Sequence, residues 1–112
     1  MDVRQLVLES AMDDWVSDYE VQGDFQAEQS VPPAEAYARM VSQVVDWLRR
    51  GVLVAGDLRD GFEGWPGDAA ATSARFAAAA AGLTRLTLPG QICWFDSGPA
   101  AEAELAALLR SM

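Results

Sequence analysis

Apolar residues recur at spacings of three and four along the first part of the chain, which is the period of a helix with one buried side. The stripe runs through a segment from about Val3 to Val21, and most acidic residues of that segment fall on the opposite side. The side chains on or beside the stripe are Val7, Leu8, Ala11, Met12, Trp15 and Tyr19. The pattern predicts one long amphipathic helix, followed by a polar loop over residues 23–30.

Boundary signals define two further helices in the middle of the chain. One is predicted from about Pro33 to Arg50, because proline is tolerated in a first helical turn and Gly51 is placed to cap the carboxyl end. Its expected buried side chains are Tyr37, Met40, Val41, Val44, Trp47 and Leu48. Asp68 is placed to cap the other helix, over about residues 69–81, with Phe76 as its one large apolar anchor.

A last helix is predicted from about Pro99 to Arg110, with Asp96 or Ser97 as its cap. The side chains expected to face the core are Leu105, Leu108 and Leu109. Two β-type runs, Val52 to Leu58 and Gln91 to Phe95, are the clear strands. Their backbone groups need partners, so we expect the two runs to pair with each other.

The remaining stretches are connections. RDGFEGWPGD is dense in Gly, Pro and Asp and is predicted to be a loop, whereas LTRLTL is either a strand or an extended connector. The order is therefore helix, helix, strand, helix, strand, helix. It predicts a single domain over residues 1–112 with an α+β, mostly helical fold, made of about four helices and a small antiparallel sheet of two or three strands.

The composition is that of a globular protein, since 51% of the 112 residues are hydrophobic. No apolar run approaches the ~20 residues that span a bilayer. The amino-terminal residues lack the basic start and long apolar stretch of a signal peptide. One cysteine cannot form an internal disulfide, so we expect a cytoplasmic protein.

The net charge narrows the range of partners. It is −9, and all eight basic residues are arginine. Nucleic-acid binding depends on basic groups that neutralise phosphates, so the charge argues against a nucleic-acid partner, and it also disfavours anionic membrane surfaces. A basic protein would be attracted to this chain at long range. Solubility alone is a second explanation of the acidic composition.

Residues for catalysis or metal binding are scarce. The chain has no histidine, so its only thiol, Cys93, lacks the base that commonly activates a nucleophilic cysteine. Ile92 and Phe95 also place this thiol among apolar neighbours. Zinc needs more Cys or His ligands than the chain contains, and no Gly-rich phosphate-binding motif is present. We therefore expect a protein that is not an enzyme and that has no cofactor or metal.

Two aromatic residues, Phe62 and Trp65, fall within the Gly-rich stretch, where burial is not automatic. Either they fold back onto the small sheet, or they project as anchors for a partner, since exposed aromatic side chains often carry binding energy. The pattern leaves both alternatives open.

GVLVAGDLRDGFEGW and PGQICWFDSGP resemble a pattern found in a group of small actinobacterial proteins: G-L-V-V-A-G-D-L, then D-G-F-x-x-W, then P-G-E-I-C-W-L. The matching ranges are Gly51–Leu58, Asp60–Trp65 and Pro89–Phe95, so the likeness covers roughly half of the chain. Gln91 stands where that pattern has Glu. The group is similar in its small, acidic character to immunity proteins of toxin systems. The resemblance thus implies an accessory role and no particular activity.

The favoured interpretation is an acidic protein-binding domain, an immunity- or antitoxin-like inhibitor that occludes a basic partner such as a toxin. The residues expected to contact that partner are Asp13, Asp14, Asp18, Asp57, Asp60 and Trp65. The alternative is a regulatory or structural domain with a winged-helix-like scaffold that forms a homodimer and does not bind DNA. A small-molecule pocket between the second helix and the sheet is a third option.

Overall fold

The computed structural model describes residues 1–112 and contains five helices and four strands. The helices are α1 (Val3–Asp13), α2 (Asp18–Gln29), α3 (Pro33–Arg49), α4 (Ala69–Ala81) and α5 (Ala101–Arg110). The strands are β1 (Val16–Ser17), β2 (Leu53–Leu58), β3 (Phe62–Gly64) and β4 (Trp94–Ser97). The predicted α+β, mostly helical class is confirmed, with one more helix and one more strand than expected. None of the helices combines the length and the apolar character needed to cross a membrane.

The four strands form one antiparallel sheet in the order β1-β4-β2-β3. Phe95 in β4 is paired with Val16 on one side and with Ala55 on the other. β2 and β3 form a hairpin in which Gly56 is opposite Gly64. The first strand of the chain therefore pairs with the last, and the two strands predicted from sequence are neighbours, as expected.

Alternation of side chains gives this sheet two faces. On the inner face, the buried side chains are Val16, Ala55, Cys93 and Phe95. Phe95 meets Phe76 of α4 edge-on, with ring centroids 5.7 Å apart, and Trp47 of α3 is also fully buried. Together they belong to one core cluster of 23 residues. The opposite side of the sheet, which carries the alternate residues, is called the outer face below.

The prediction of one helix from Val3 to Val21 is wrong. α1 ends at Asp13, and Val16 and Ser17 then pair with β4. The Ser17 hydroxyl accepts a hydrogen bond from the Glu20 N–H at 3.0 Å and so begins a second helix, α2. Strand pairing satisfies backbone groups that a continuous helix would have satisfied internally, and the periodic pattern alone does not distinguish the two.

This break changes which side chains are buried. The buried residues of α1 are Val3, Val7, Leu8 and Ala11, whereas Met12, Trp15 and Tyr19, expected in the core, are exposed. The loop predicted over residues 23–30 is also wrong, because α2 continues to Gln29. Phe25 is buried there, and Gln22 is held by two side-chain hydrogen bonds to the Leu86 backbone, at 2.8 and 3.2 Å.

The predicted helix at Pro33 is confirmed as α3, and so is its cap. Gly51 has a positive φ of 72°, which a residue without Cβ adopts at little cost. Its N–H donates to the Leu48 carbonyl at 3.3 Å, and the Val52 N–H donates to the Trp47 carbonyl at 2.9 Å. These two bonds are the Schellman arrangement that ends many helices. The expected buried side of α3 is confirmed except for Val41, which is only partly covered.

Among the later elements, α4 spans its predicted residues, whereas the last strand and the start of the last helix are shifted from their predicted positions. Asp68 caps α4 as predicted, by accepting the Ala71 N–H at 2.8 Å. β4 begins at Trp94 rather than Gln91, and Asp96 and Ser97 are strand residues, so neither caps α5. Part of the stretch predicted as loop forms β3. Of the three leucines expected in the core, Leu108 is buried, Leu105 is partly buried and Leu109 is exposed.

Candidate functional site

The outer face of the sheet carries large apolar side chains that remain partly exposed. Val54, Phe62 and Trp94 are half-buried, and Leu58 is exposed. A Cβ at Gly56 would lie 2.7 Å from Cζ of Phe62, and one at Gly64 would lie 3.9 Å from its Cε1. The absence of a side chain at Gly56 thus makes room for the Phe62 ring, whereas a Cβ at Gly64 would make only ordinary van der Waals contact with it.

Trp15 extends this aromatic surface. Its ring stacks on Phe62, with centroids 6.1 Å apart and planes inclined by 24°. It is 41% exposed, although it was expected in the core. Gly61 also lies beside it, because a Cβ there would be 3.9 Å from the Trp15 ring. The contact joins the residues that follow α1 to the β2–β3 hairpin, two segments that are far apart in sequence.

Acidic residues flank this aromatic pair on both segments. Asp13 and Asp14 directly precede Trp15, and Asp60 lies two residues before Phe62; all three are exposed. None of them is in an ion pair with any of the arginines of the chain. Their charge therefore faces solvent unneutralised. We call this surface, made of Trp15, Phe62, Asp13, Asp14 and Asp60, the outer-face patch.

Asp57, which was predicted beside them, is separate from the outer-face patch. It is half-buried and lies between Gly56 and Leu58 in β2, so alternation turns its side chain to the other face of the sheet. Burial raises the pKa of the Cys93 thiol, and the negative charges of Asp18 and Asp57 add to that rise.

Asp18 is not a surface residue, so its predicted role in contacting a partner is wrong. It is fully buried, and its carboxylate accepts four backbone hydrogen bonds. Oδ1 accepts from the N–H groups of Tyr19 and Gly90, at 2.7 and 2.8 Å. Oδ2 accepts from those of Ile92 and Cys93, at 2.7 and 3.3 Å. Burial raises the pKa of Asp18, while these bonds oppose that rise. Asp18 fastens α2 to the segment that leads into β4.

Trp65 is not an exposed anchor either. It is only 7% exposed and belongs to the core cluster. The guanidinium of Arg75 lies 3.9 Å above its ring centre, an arrangement typical of cation–π stacking. Of the two alternatives for the aromatic residues of this stretch, folding back is therefore confirmed for Trp65, whereas Phe62 is half-buried on the outer face.

The sequence interpretation missed Trp15 as a surface residue because it placed that residue inside one long helix. A signal was available in the hairpin. A glycine inside a strand run, such as Gly56, often marks a place where another group approaches the backbone closely. That signal predicts a close approach at Gly56, but neither that Phe62 makes it nor that Trp15 stacks on Phe62.

The chemistry offered by the rest of the molecule is limited. Cys93 is fully buried, and burial raises the pKa of its thiol, which favours the unreactive protonated form. No group of three or more Cys, Asp or Glu side chains is arranged to hold a metal ion. An exposed aromatic pair flanked by free carboxylates, by contrast, is suited to contact a second molecule.

Comparison of the chain with protein-family models, with curated proteins and with solved structures finds no match. The resemblance to the small actinobacterial group stays a prediction.

Proposed function

We propose that this protein is a binding domain whose outer-face patch docks onto a basic protein and occludes it, in the manner of an immunity- or antitoxin-like inhibitor. One observation carries the proposal. The stacking of Trp15 on Phe62 gathers unpaired carboxylates from two distant segments around an exposed aromatic pair. This protein would act without covalent chemistry. It would inhibit the partner by blocking access to the partner's active site.

The aromatic pair would supply most of the affinity. Residues that dominate interfaces are enriched in Trp and Tyr and lie near the centre of the buried area, with polar groups around them. Trp15 is 41% exposed and already rests on Phe62, so a partner would bury additional apolar surface without first ordering a mobile side chain.

The carboxylates would supply attraction and orientation. A patch charge at the rim of an interface acts mainly on the association rate and on the choice of partner, and salt weakens it. Asp13, Asp14 and Asp60 have no arginine to neutralise them, and the net charge of −9 reinforces their field. The fitting partner therefore presents Lys or Arg side chains around an apolar recess.

The test is co-expression of the chain with each basic protein encoded beside its gene, followed by measurement of the dissociation constant at low and high salt. We expect one tight complex whose association rate falls as salt rises. Trp15→Ala should weaken it by about tenfold or more, because exposed tryptophans at interfaces commonly contribute at this level. Leu88→Ala, which truncates another exposed apolar side chain, is the control and should bind normally.

Two double variants test the contribution of the carboxylates separately from that of Trp15. Asp13→Asn/Asp60→Asn removes two carboxylates from the outer-face patch. Glu20→Gln/Glu102→Gln removes two from elsewhere, since Glu20 lines a groove beside α2 and Glu102 lies on α5. Only the first pair should slow association. Equal effects of the two pairs would contradict a localised patch. A tight homodimer that buries Trp15, with no basic partner, would favour the dimerising alternative instead.

A further inference from the structure

A cavity of about 380 Å³ lies between α4 and the segment that precedes β4. Its volume falls within the range of small-molecule sites, roughly 300–1,000 Å³. Trp65, Arg75 and Gln91 are among the residues that line it. None of these residues belongs to the outer-face patch, so the cavity is a separate feature of the molecule.

The indole N–H of Trp65 is the first sign that the cavity accepts a ligand. It is the only buried side-chain nitrogen or oxygen atom in the chain without a hydrogen-bond partner. Buried polar groups are nearly always paired, because an unpaired one costs free energy, and exceptions call for an explanation. The four buried polar residues of the chain, Ser17, Asp18, Gln22 and Ser73, all have side-chain hydrogen-bond partners.

Arg75 is the second sign. Four arginines of this acidic chain have a carboxylate within 4.0 Å, namely Arg4, Arg39, Arg50 and Arg59. The other four, Arg49, Arg75, Arg85 and Arg110, have none, and of these only Arg75 stacks on an aromatic ring and lines this cavity. Its guanidinium rests on Trp65, and its N–H groups are free to bind an acceptor.

Gln91 adds a third donor. Its side-chain oxygen accepts the N–H of Thr87 at 2.8 Å, which leaves its amide NH₂ without a protein acceptor. The polar side chains of the cavity thus offer donors and no free carboxylate. The rest of the wall is apolar and comes from Ala79, Leu83 and Ile92.

From this lining we propose that the cavity binds a small organic carboxylate with a short apolar tail. The carboxylate accepts hydrogen bonds from the Arg75 guanidinium, from the Gln91 amide and from the indole N–H of Trp65. The tail lies against Ala79, Leu83 and Ile92. The indole N–H is buried, so the ligand would reach it only after the exposed Arg75 side chain, which covers the Trp65 ring, changes rotamer, a fast motion for a surface residue. The single positive charge of Arg75 can offset the single negative charge of such a ligand, although the protein as a whole is strongly acidic.

The experiment follows the four indole N–H resonances of the chain by NMR while isovalerate or phenylacetate is added. The corresponding neutral amides, isovaleramide and phenylacetamide, keep the tail and remove the charge. We expect the Trp65 resonance to shift saturably with at least one carboxylate and to shift much less with its amide. The Trp47 resonance, whose N–H is bonded to Glu104 at 2.9 Å, is an internal reference and should not move.

Two arginine variants test whether Arg75 binds the carboxylate. Arg75→Gln should weaken carboxylate binding by about tenfold or more, because a charge-assisted hydrogen bond is lost. Arg110→Gln removes an equal charge from the end of α5 and should leave binding unchanged. Both arginines are exposed, so both variants are expected to fold. A Trp65 resonance that stays fixed at millimolar carboxylate would overturn the proposal, and so would equal affinities of Arg75→Gln and Arg110→Gln.

Discussion

The two faces of the sheet use the same kinds of residue for opposite purposes. The inner face has Phe95 packed on Phe76 with Asp18 buried nearby, and the outer face has Trp15 stacked on Phe62 with Asp14 beside it. Both are aromatic pairs accompanied by a carboxylate. The difference lies in what surrounds them. Inside, every polar atom of Asp18 is matched by backbone donors, so it serves the fold. Outside, the carboxylates have no arginine partner and remain available to another molecule.

The largest expected difference in stability is between alanine variants of the two aromatic pairs. Phe95→Ala should lower the free energy of unfolding by about 3–5 kcal/mol, because it opens a cavity in the core. Phe62→Ala should cost only about 1 kcal/mol, since its ring is half-exposed and loses mainly one stacking contact. Guanidinium denaturation followed by circular dichroism measures both. Similar losses would mean that the outer-face patch is part of the stabilising core and that the comparison fails.

The next effect separates the two carboxylates. Asp18→Asn should lower the free energy of unfolding by about 2–4 kcal/mol, because an amide NH₂ would face backbone N–H donors in place of an oxygen. Asp13→Asn keeps its side chain in water and should change stability by no more than about 0.5 kcal/mol. Urea titrations of the two variants beside the natural chain give the comparison. A stable Asp18→Asn variant would show that the four backbone bonds contribute little.

Asp24 is partly buried and so lies between the buried Asp18 and the exposed Asp13. Burial, with the neighbouring charges of Glu20 and Glu28, raises the pKa of Asp24 from 3.8 to about 6. Between these values the folded chain holds a proton that the unfolded chain has released, so stability falls as the pH rises through this window. Asp24→Asn removes that loss. At pH 7 it should be more stable than the natural chain by about 1 kcal/mol, a modest gain because solvent screens a partly exposed group.

The measurement is the free energy of unfolding of Asp24→Asn and of the natural chain at pH 3.5 and at pH 7. The two chains should be nearly equally stable at the lower pH, where Asp24 is protonated in the folded state and mostly protonated in the unfolded state. Glu20→Gln removes one of the neighbouring charges and should recover part of the gain at pH 7. A difference that is the same at both pH values would point to a cause other than titration of Asp24.

Elements with local signals could be predicted from the sequence. α3 and α4 were located closely because Gly51 and Asp68 act within their own helices, through bonds to residues three to five positions away. The break after α1 could not be predicted this way. It depends on Val16 pairing with Phe95, a residue far along the chain, and the apolar spacing of the segment is compatible with a helix. Local periodicity does not reveal a two-residue strand.

The acidic character of the candidate site could be predicted from the sequence, but the arrangement of its residues in the fold could not. Asp13, Asp14 and Asp60 stand out as acidic residues in polar stretches, and all three are exposed. Asp18 stands out in the same way, yet it is buried, because donors from residues 90–93 converge on it. Whether a carboxylate serves the fold or the surface was decided by partners more than seventy positions away, which no short sequence window contains.

Pairing of the first strand with the last has a consequence for synthesis. β1 stays without its neighbour until β4 has been made, and the segment held by Asp18 arrives just before it. Contacts of such long sequence separation form late and slow folding. A nascent or truncated chain that lacks the final strand would leave Trp15 unplaced. Under the proposed role, the protein would thus gain its binding competence only after β4 has been made.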